Sequence, residues 1–259
     1  MSNDHHESLK PSPTEDSSTA LIKHLKEEPS SYSRGCAALA LGQMRELSAV
    51  EPLAQALSDP SPWVRGWAAF ALGQLQKPHA LPALCRALGD EDSWVREKAA
   101  DALLHFDGRL AEDTLLKTLQ TGSALARAWA IHVLAQRGHP EVALDVVATL
   151  EDGSRSIRVS AVRALYRLGH PQGAAPIRMF MRDPDEHLRG AAAFALGTLE
   201  DRESVPALCR ALADPRAWVR RNAAWALLEM GEALPLVASM AKDEDVGVRC
   251  FAANARDQL

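Results

Sequence analysis

The stretch Asp59–Leu75, DPSPWVRGWAAFALGQL, decides the fold. Val64, Ala68, Ala71, Leu72 and Leu75 fall at i, i+4, i+7, i+8 and i+11, one apolar stripe of an α-helix. Ser61 before Pro62 predicts the helix start. The hydroxyl can accept from a free backbone N–H, and proline at the first helical position gives up a donor that has no partner there.

The stretch recurs. Steps of 31 residues from Arg65 reach Arg34 on one side and Arg96, Arg127, Arg158, Arg189 and Arg220 on the other, and a last step of 29 reaches Arg249. Counting each arginine as position 0, position +3 is Ala37, Ala68, Ala99, Ala130, Ala161, Ala192, Ala223 and Ala252. Position −4 holds a helix-capping residue at Ser30, Ser61, Asp92, Ser123, Ser154, Asp185 and Asp245, with Arg216 the departure. Position −6 is acidic at Glu28, Asp59, Asp90, Asp152, Asp183, Asp214 and Asp243, with Thr121 the departure. Such phase identifies a repeat array. A longer echo stands 124 residues apart: Pro82–Leu88 and Pro206–Leu212 both read PALCRAL, and GWAAFALGQL from Gly66 matches GAAAFALGTL from Gly190.

No segment alternates as a strand does. Loops are short and punctuated by Gly108, Gly138, Gly169 and Gly231, with Gly-His-Pro at 138–140 and 169–171. Each period therefore holds a shorter first helix and a longer second helix carrying the marker arginine. The first helix is expected at about Ser48–Leu57 in the second repeat and His79–Leu88 in the third. Eight such pairs over residues 19–259 predict an all-α, right-handed α-solenoid, in which each unit buries its neighbour. Residues 1–18 hold almost nothing apolar and are expected to be a disordered tail, its His5–His6 pair included. Arg256-Asp257 replaces the Leu-Gly of 41–42, 72–73 and 196–197, as expected of a terminal repeat.

The recurring alanine is expected where adjacent second helices press together. Each marker arginine comes with its acid, which predicts an Asp–Arg ladder between neighbouring units and leaves no positive row over. Trp63, Trp94 and Trp218, at position −2, are expected to seal the inter-helix turns.

Among 259 residues the net charge is −5, which argues against wholesale phosphate binding. The four cysteines lack metal-ligand spacing and read as reduced thiols. With no membrane-length apolar run and no signal core, the expectation is a cytoplasmic, soluble chain with no cofactor. No nucleotide-binding glycine loop, nucleophile elbow or zinc-protease motif is present, so no catalytic residue is assigned.

A two-helix unit reading D-P-x-x-x-V-R-x-x-A-A-x-A-L-G resembles the short HEAT-like repeat found in phycobilisome lyases and bacterial scaffold proteins. The signature stands at Asp59-Pro60, Val64-Arg65, Ala68-Ala69 and Ala71-Leu72-Gly73, and its first part again at Asp183-Pro184 and Asp214-Pro215. The resemblance covers about 19–259 and is specific for fold rather than for function. It implies a non-catalytic scaffold holding a partner protein or peptide in a concave groove. The alternative it implies is a bilin-lyase subunit or a chaperone handling a tetrapyrrole. Deoxyhypusine hydroxylase is similar in fold but carries iron-binding His-Glu pairs on its inner helices. The only His-Glu here is His6-Glu7, so that activity is not expected. HEAT-like DNA glycosylases make nucleic acid the third reading, but Glu97, Asp101 and Glu229 offset Arg163, Arg167 and Arg221.

Positions +1, +2, +5 and +9 point away from the apolar stripe and are expected to line the groove. The candidate binding residues are Trp67, Phe70, Lys98, Asp101, His105, Trp129, His132, Arg163, Arg167, Phe194, Arg221 and Trp225. Aromatic anchors with a mixed-charge rim suit protein recognition, whereas Phe70, Phe194 and Trp225 packed between units would be structural. Asp101, His105 and His132 are the one candidate metal or acid–base group.

Overall fold

The structure, a computed structural model, describes residues 17–169 and 173–259. The expected tail up to residue 16, with His5, His6 and Glu7, lies outside the described residues, as does the His-Pro of 170–171. Sixteen α-helices are seen among the described residues, and no strand. They run in pairs: α1 (Ser17–Glu27) and α2 (Ser31–Gln43), α3 (Val50–Ala56) and α4 (Pro62–Leu75), α5 (Leu81–Ala87) and α6 (Ser93–Leu104), α7 (Arg109–Thr121) and α8 (Ala124–Arg137). The series continues as α9 (Ala143–Ala148) and α10 (Arg155–Leu168), α11 (Ala174–Met179) and α12 (Glu186–Thr198), α13 (Val205–Ala211) and α14 (Ala217–Glu229), α15 (Leu234–Ser239) and α16 (Val246–Asp257). Every marker arginine sits in the first turns of an even-numbered helix. The helix α1 opens at Ser17, two residues ahead of the expected start, and buries Ser18.

The first helices are shorter than predicted. A 3-10 turn, Leu47–Ala49 or Pro78–Ala80, precedes α3 and α5, because Pro52 and Pro82 in the opening turn cannot donate to the preceding carbonyls. A 3-10 turn stands on both sides of α9, at Pro140–Val142 and Thr149–Glu151, and one follows α11 and α15, at Phe180–Arg182 and Met240–Lys242.

Capping divides into two kinds. Asp92, Asp185 and Asp245 accept from backbone N–H groups of the helices they open, and the Ser30 and Ser123 hydroxyls do the same. Ser61 departs from expectation, since its hydroxyl makes no capping bond. Its backbone carbonyl instead accepts from Val64 N at 3.1 Å and Arg65 N at 3.2 Å. Ser154 and Arg216 close their first turns in the same way. A tight first turn makes the capping side chain dispensable, which is why arginine is tolerated at 216.

The helices group into two compact units, one ending at Val133 and the other running from Leu134. In the first, α2, α4 and α6 lie side by side; in the second, α10, α12, α14 and α16 do. The predicted stripe of α4 is buried, with Val64, Ala68, Ala71 and Leu72 at 0% exposure. All eight recurring alanines are buried. The closest helix approach shown lies one turn further on, where a glycine faces an alanine. A Cβ built on Gly42, Gly73 or Gly197 would stand 2.7, 2.8 or 2.8 Å from the Cα of Ala71, Ala102 or Ala226.

Among the described residues the ladder is seen at Arg34–Asp59, Arg65–Asp90, Arg189–Asp214 and Arg220–Asp243. Arg65 Nε and Nη2 each donate to the Asp90 carboxylate at 2.8 Å, while Nη1 donates to the carbonyls of Asp59 (2.9 Å) and Pro60 (3.1 Å) in its own turn. Arg34–Asp59, Arg189–Asp214 and Arg220–Asp243 repeat this fork, with both partners largely buried. Each acid also accepts from the backbone N–H two residues on, as Asp59 does from Ser61 and Asp214 from Arg216. One expected rung is not made: Arg158 keeps the carbonyls of Asp152 and Gly153 but forms no ion pair with Asp183 among the described residues. There Arg155 pairs with Asp185 instead, one turn away from the ladder line. A rung outside the pattern joins Arg178 to Asp201 and Glu203.

Where Thr121 stands in place of the acid, Arg96 keeps only its own turn's carbonyls, Asp90 at 2.7 Å and Glu91 at 2.9 Å. Its Nε is buried without a hydrogen bond, and its guanidinium lies over the Trp129 ring at 5.9 Å. Thr121→Asp is therefore expected to raise the unfolding free energy by about 1 kcal/mol, the net worth of a charged hydrogen bond less the unfavourable dipole at the end of α7. Urea titration checks this; no gain would mean the joint has no room for a carboxylate.

Candidate functional site

In the first unit, position −2 forms a stack. Tyr32, Trp63 and Trp94 lie nearly parallel, with centroids 6.3 and 5.7 Å apart and interplanar angles of 12° and 14°. Trp67 stands edge-on to both Trp63 (5.5 Å) and Trp94 (5.8 Å), and Phe70 edge-on to Trp67 (5.7 Å). Five rings from three repeats thus form one cluster, which reaches solvent at Tyr32 (67% exposed) and Trp63 (39%). Trp63 and Trp94 do not seal turns as the sequence suggested; they lie across the preceding second helix. The reason is the residue at +1. A Cβ on Gly35 would stand 2.5 Å from Trp63, one on Gly66 2.0 Å from Trp94, and one on Gly190 2.0 Å from Trp218. These glycines are the seats of the tryptophans, so Gly66 and Gly190 do not line a groove. The exchange runs the other way at the last joint, where Arg221 fills +1 and Gly247 stands at −2, a Cβ there meeting Arg221 Cδ at 2.6 Å.

Beside this cluster, Glu97 and Asp101 are exposed and Lys98 is half-buried, its Nζ 3.6 Å from Asp101. The His105 Nδ1 lies 2.6 Å from the Asp101 carbonyl oxygen and so carries the proton. His132 rests edge-on against Trp129 at 5.5 Å. Asp101, His105 and His132 are not brought together as a metal-ligand set.

In the second unit, position +5 carries Arg163, Phe194 and Trp225 on successive second helices. Phe194 and Trp225 stack at 4.6 Å and 19°, and Tyr166 meets Phe194 edge-on at 5.2 Å. All three rings are half-buried, so they serve both packing and surface. Arg163 and Arg167 are exposed, with no ion pair or hydrogen bond among the described residues. Arg221 lies over Trp218 at 6.0 Å, its Nε 3.6 Å from Asp245. Tyr32 and Tyr166 escape the sequence reading, although both can be found from the marker phase.

The four thiols are free. Burial pushes the Cys85 thiol up to about 11, which removes it as a nucleophile. No described helix is long and apolar enough to cross a membrane.

Family comparison matches the model of HEAT repeats at residues 18–106, 112–186 and 175–255. No curated protein matches the chain in sequence. Among solved structures, YibA of Escherichia coli is similar over 92% of each chain, at 19% identity and a TM-score of 0.58. Kap95p, solved with RanGDP, is similar at 15% identity and a TM-score of 0.64; the match covers 92% of this chain but only 39% of Kap95p. The CpcE–CpcF phycocyanin lyase of Nostoc is matched over 100% of each chain at 22% identity, but its TM-score of 0.42 is too loose to bear on function. From the repeated helix pairs and the matched segments, the chain belongs to the HEAT-repeat family and is an all-α solenoid.

Proposed function

We propose that this protein is a non-catalytic scaffold that recognises partner proteins or peptides on the faces of its second helices. The observation that carries the reading is one cluster of exposed and half-exposed rings in each unit: Tyr32 and Trp63 at −2 with Trp67 at +2 in the first, and Phe194 and Trp225 at +5 with Tyr166 at +8 in the second. Side chains that only needed to fill space between helices could be aliphatic and covered. Large rings that remain accessible, beside charged neighbours, have the chemistry of interface anchors. The fold supports the reading, since stacked repeats expose long runs of equivalent positions.

The test is retention of proteins from native lysate on the immobilised chain, identified by mass spectrometry. Phe194→Ala with Trp225→Ala is expected to remove at least one specifically retained protein while the helical circular dichroism signal stays. Unchanged retention by this variant and by Trp63→Ala with Trp67→Ala would place recognition elsewhere.

A further inference from the structure

We infer that the face formed by α10, α12 and α14 takes an acidic peptide segment carrying an apolar or aromatic anchor. This rests on the recognition reading above and names the chemistry of its partner. Three observations converge.

The first is the free positive charge. Arg163 and Arg167 are exposed, on one side of α10 a single turn apart, and engage no group among the described residues. Most other arginines near the joints are spoken for: Arg155 by Asp185, Arg178 by Asp201 and Glu203, Arg189 by Asp214, Arg216 by Glu186 and Arg220 by Asp243. Arg182 and Arg210 of the same unit are exposed too, but they stand outside the second helices, whereas Arg163 and Arg167 stand together on one of them. A third cation, Arg221 at +1, is held only loosely by Asp245 at 3.6 Å, and Glu229 at +9 on α14 is the acid at the far end of the face.

The second is the apolar platform beside these charges. Arg163 stands at the same repeat position as Phe194 and Trp225, and Tyr166 on its own helix touches Phe194. A segment lying across the three helices would therefore meet cation, ring and ring in succession. Guanidinium groups bind carboxylates in a two-pronged fork, and the ladder shows that geometry within this very chain.

The third is the contrast with the first unit. There the corresponding +1 and +5 positions on α6 are Glu97 and Asp101, and the neighbouring Lys98 is taken by Asp101. Equivalent positions with opposite charge give the two faces different partners.

The test is selection of phage-displayed random peptides on the full chain, in wild type, Arg163→Glu/Arg167→Glu, Arg163→Lys/Arg167→Lys and Trp225→Ala forms. Circular dichroism and melting first confirm that each variant is folded, which the exposure of both arginines favours. Wild type is expected to enrich net-acidic sequences with an apolar anchor. Their affinity should fall at least about tenfold on charge reversal and be largely kept by the lysine pair. Enriched peptides without acidic bias, or bound equally by the reversed variant, would overturn the acidic assignment. If those peptides still need Trp225, recognition itself survives. If no peptide is enriched on any form, both readings fall. Single-stranded DNA bound by wild type and lost on charge reversal, with no acidic peptide enriched, would overturn the inference in favour of nucleic acid.

Discussion

Asp214→Ala is expected to lower the unfolding free energy by about 3 kcal/mol at neutral pH, read from urea titration. The carboxylate receives Arg189 Nε at 2.8 Å and Nη2 at 3.1 Å, and its Oδ1 also accepts from Arg216 N at 3.0 Å. Removing it strands a guanidinium whose side chain is 15% exposed and opens the turn before α14. The loss should depend on pH. Burial works to raise the Asp214 carboxyl, but the Arg189 and backbone hydrogen bonds outweigh it and hold the group below its ordinary value. Depressed in the folded state, the carboxylate contributes its stability fully above the unfolded value of about 3.9 and loses it as pH falls through the lower folded value. The gap between wild type and variant should therefore be constant from pH 7 to about 4 and narrow below that. A gap that is small at pH 7, or flat down to pH 2, would mean the rung is ornamental.

Gly73→Val is expected to cost about 3 kcal/mol, the upper end for overpacking a filled core. The new Cβ would stand 2.8 Å from both Cα and Cβ of Ala102, and one of those atoms is backbone. No rotamer change relieves that contact, so α4 and α6 must part. Their parting also loosens Trp63 and Trp67 from Trp94, so the tryptophan emission should change together with the melting temperature. Gly153→Ala is the control, since nothing lies within 4 Å of a Cβ built there. Equal effects at 73 and 153 would show that the helices are not in close contact.

The fold was legible because one phase, carried by the arginines, fixed every helix pair. Each Arg–Asp fork then followed from two residues 25 apart, or 23 at the shortened last step, and it failed where side chains chose a different turn, as at Arg158 and Asp183. The first helices were misjudged in length because proline in the opening turn splits a helix that hydrophobic spacing alone would join. The site was half legible. Phe70, Phe194 and Trp225 could be placed on a face by counting from the marker. Trp63 and Trp94 were misassigned because their direction depends on the residue of the previous repeat that they lie on, and helical spacing within one repeat carries no trace of it. The signal was nonetheless present: tryptophan at −2 follows glycine at +1 in the preceding repeat at Gly35/Trp63, Gly66/Trp94 and Gly190/Trp218.

That size exchange governs how such a chain can be lengthened or cut. Splicing in a second α13–α14 cassette directly after the first would drop Trp218 of the new copy onto Arg221 of the old, where glycine is wanted. Excising one cassette leaves the opposite fault, a small residue roofed by nothing large enough. A block of several cassettes copied whole keeps its inner seams matched and must mend only the one it creates. The sequence echo at 124 residues has the length that such a block would leave.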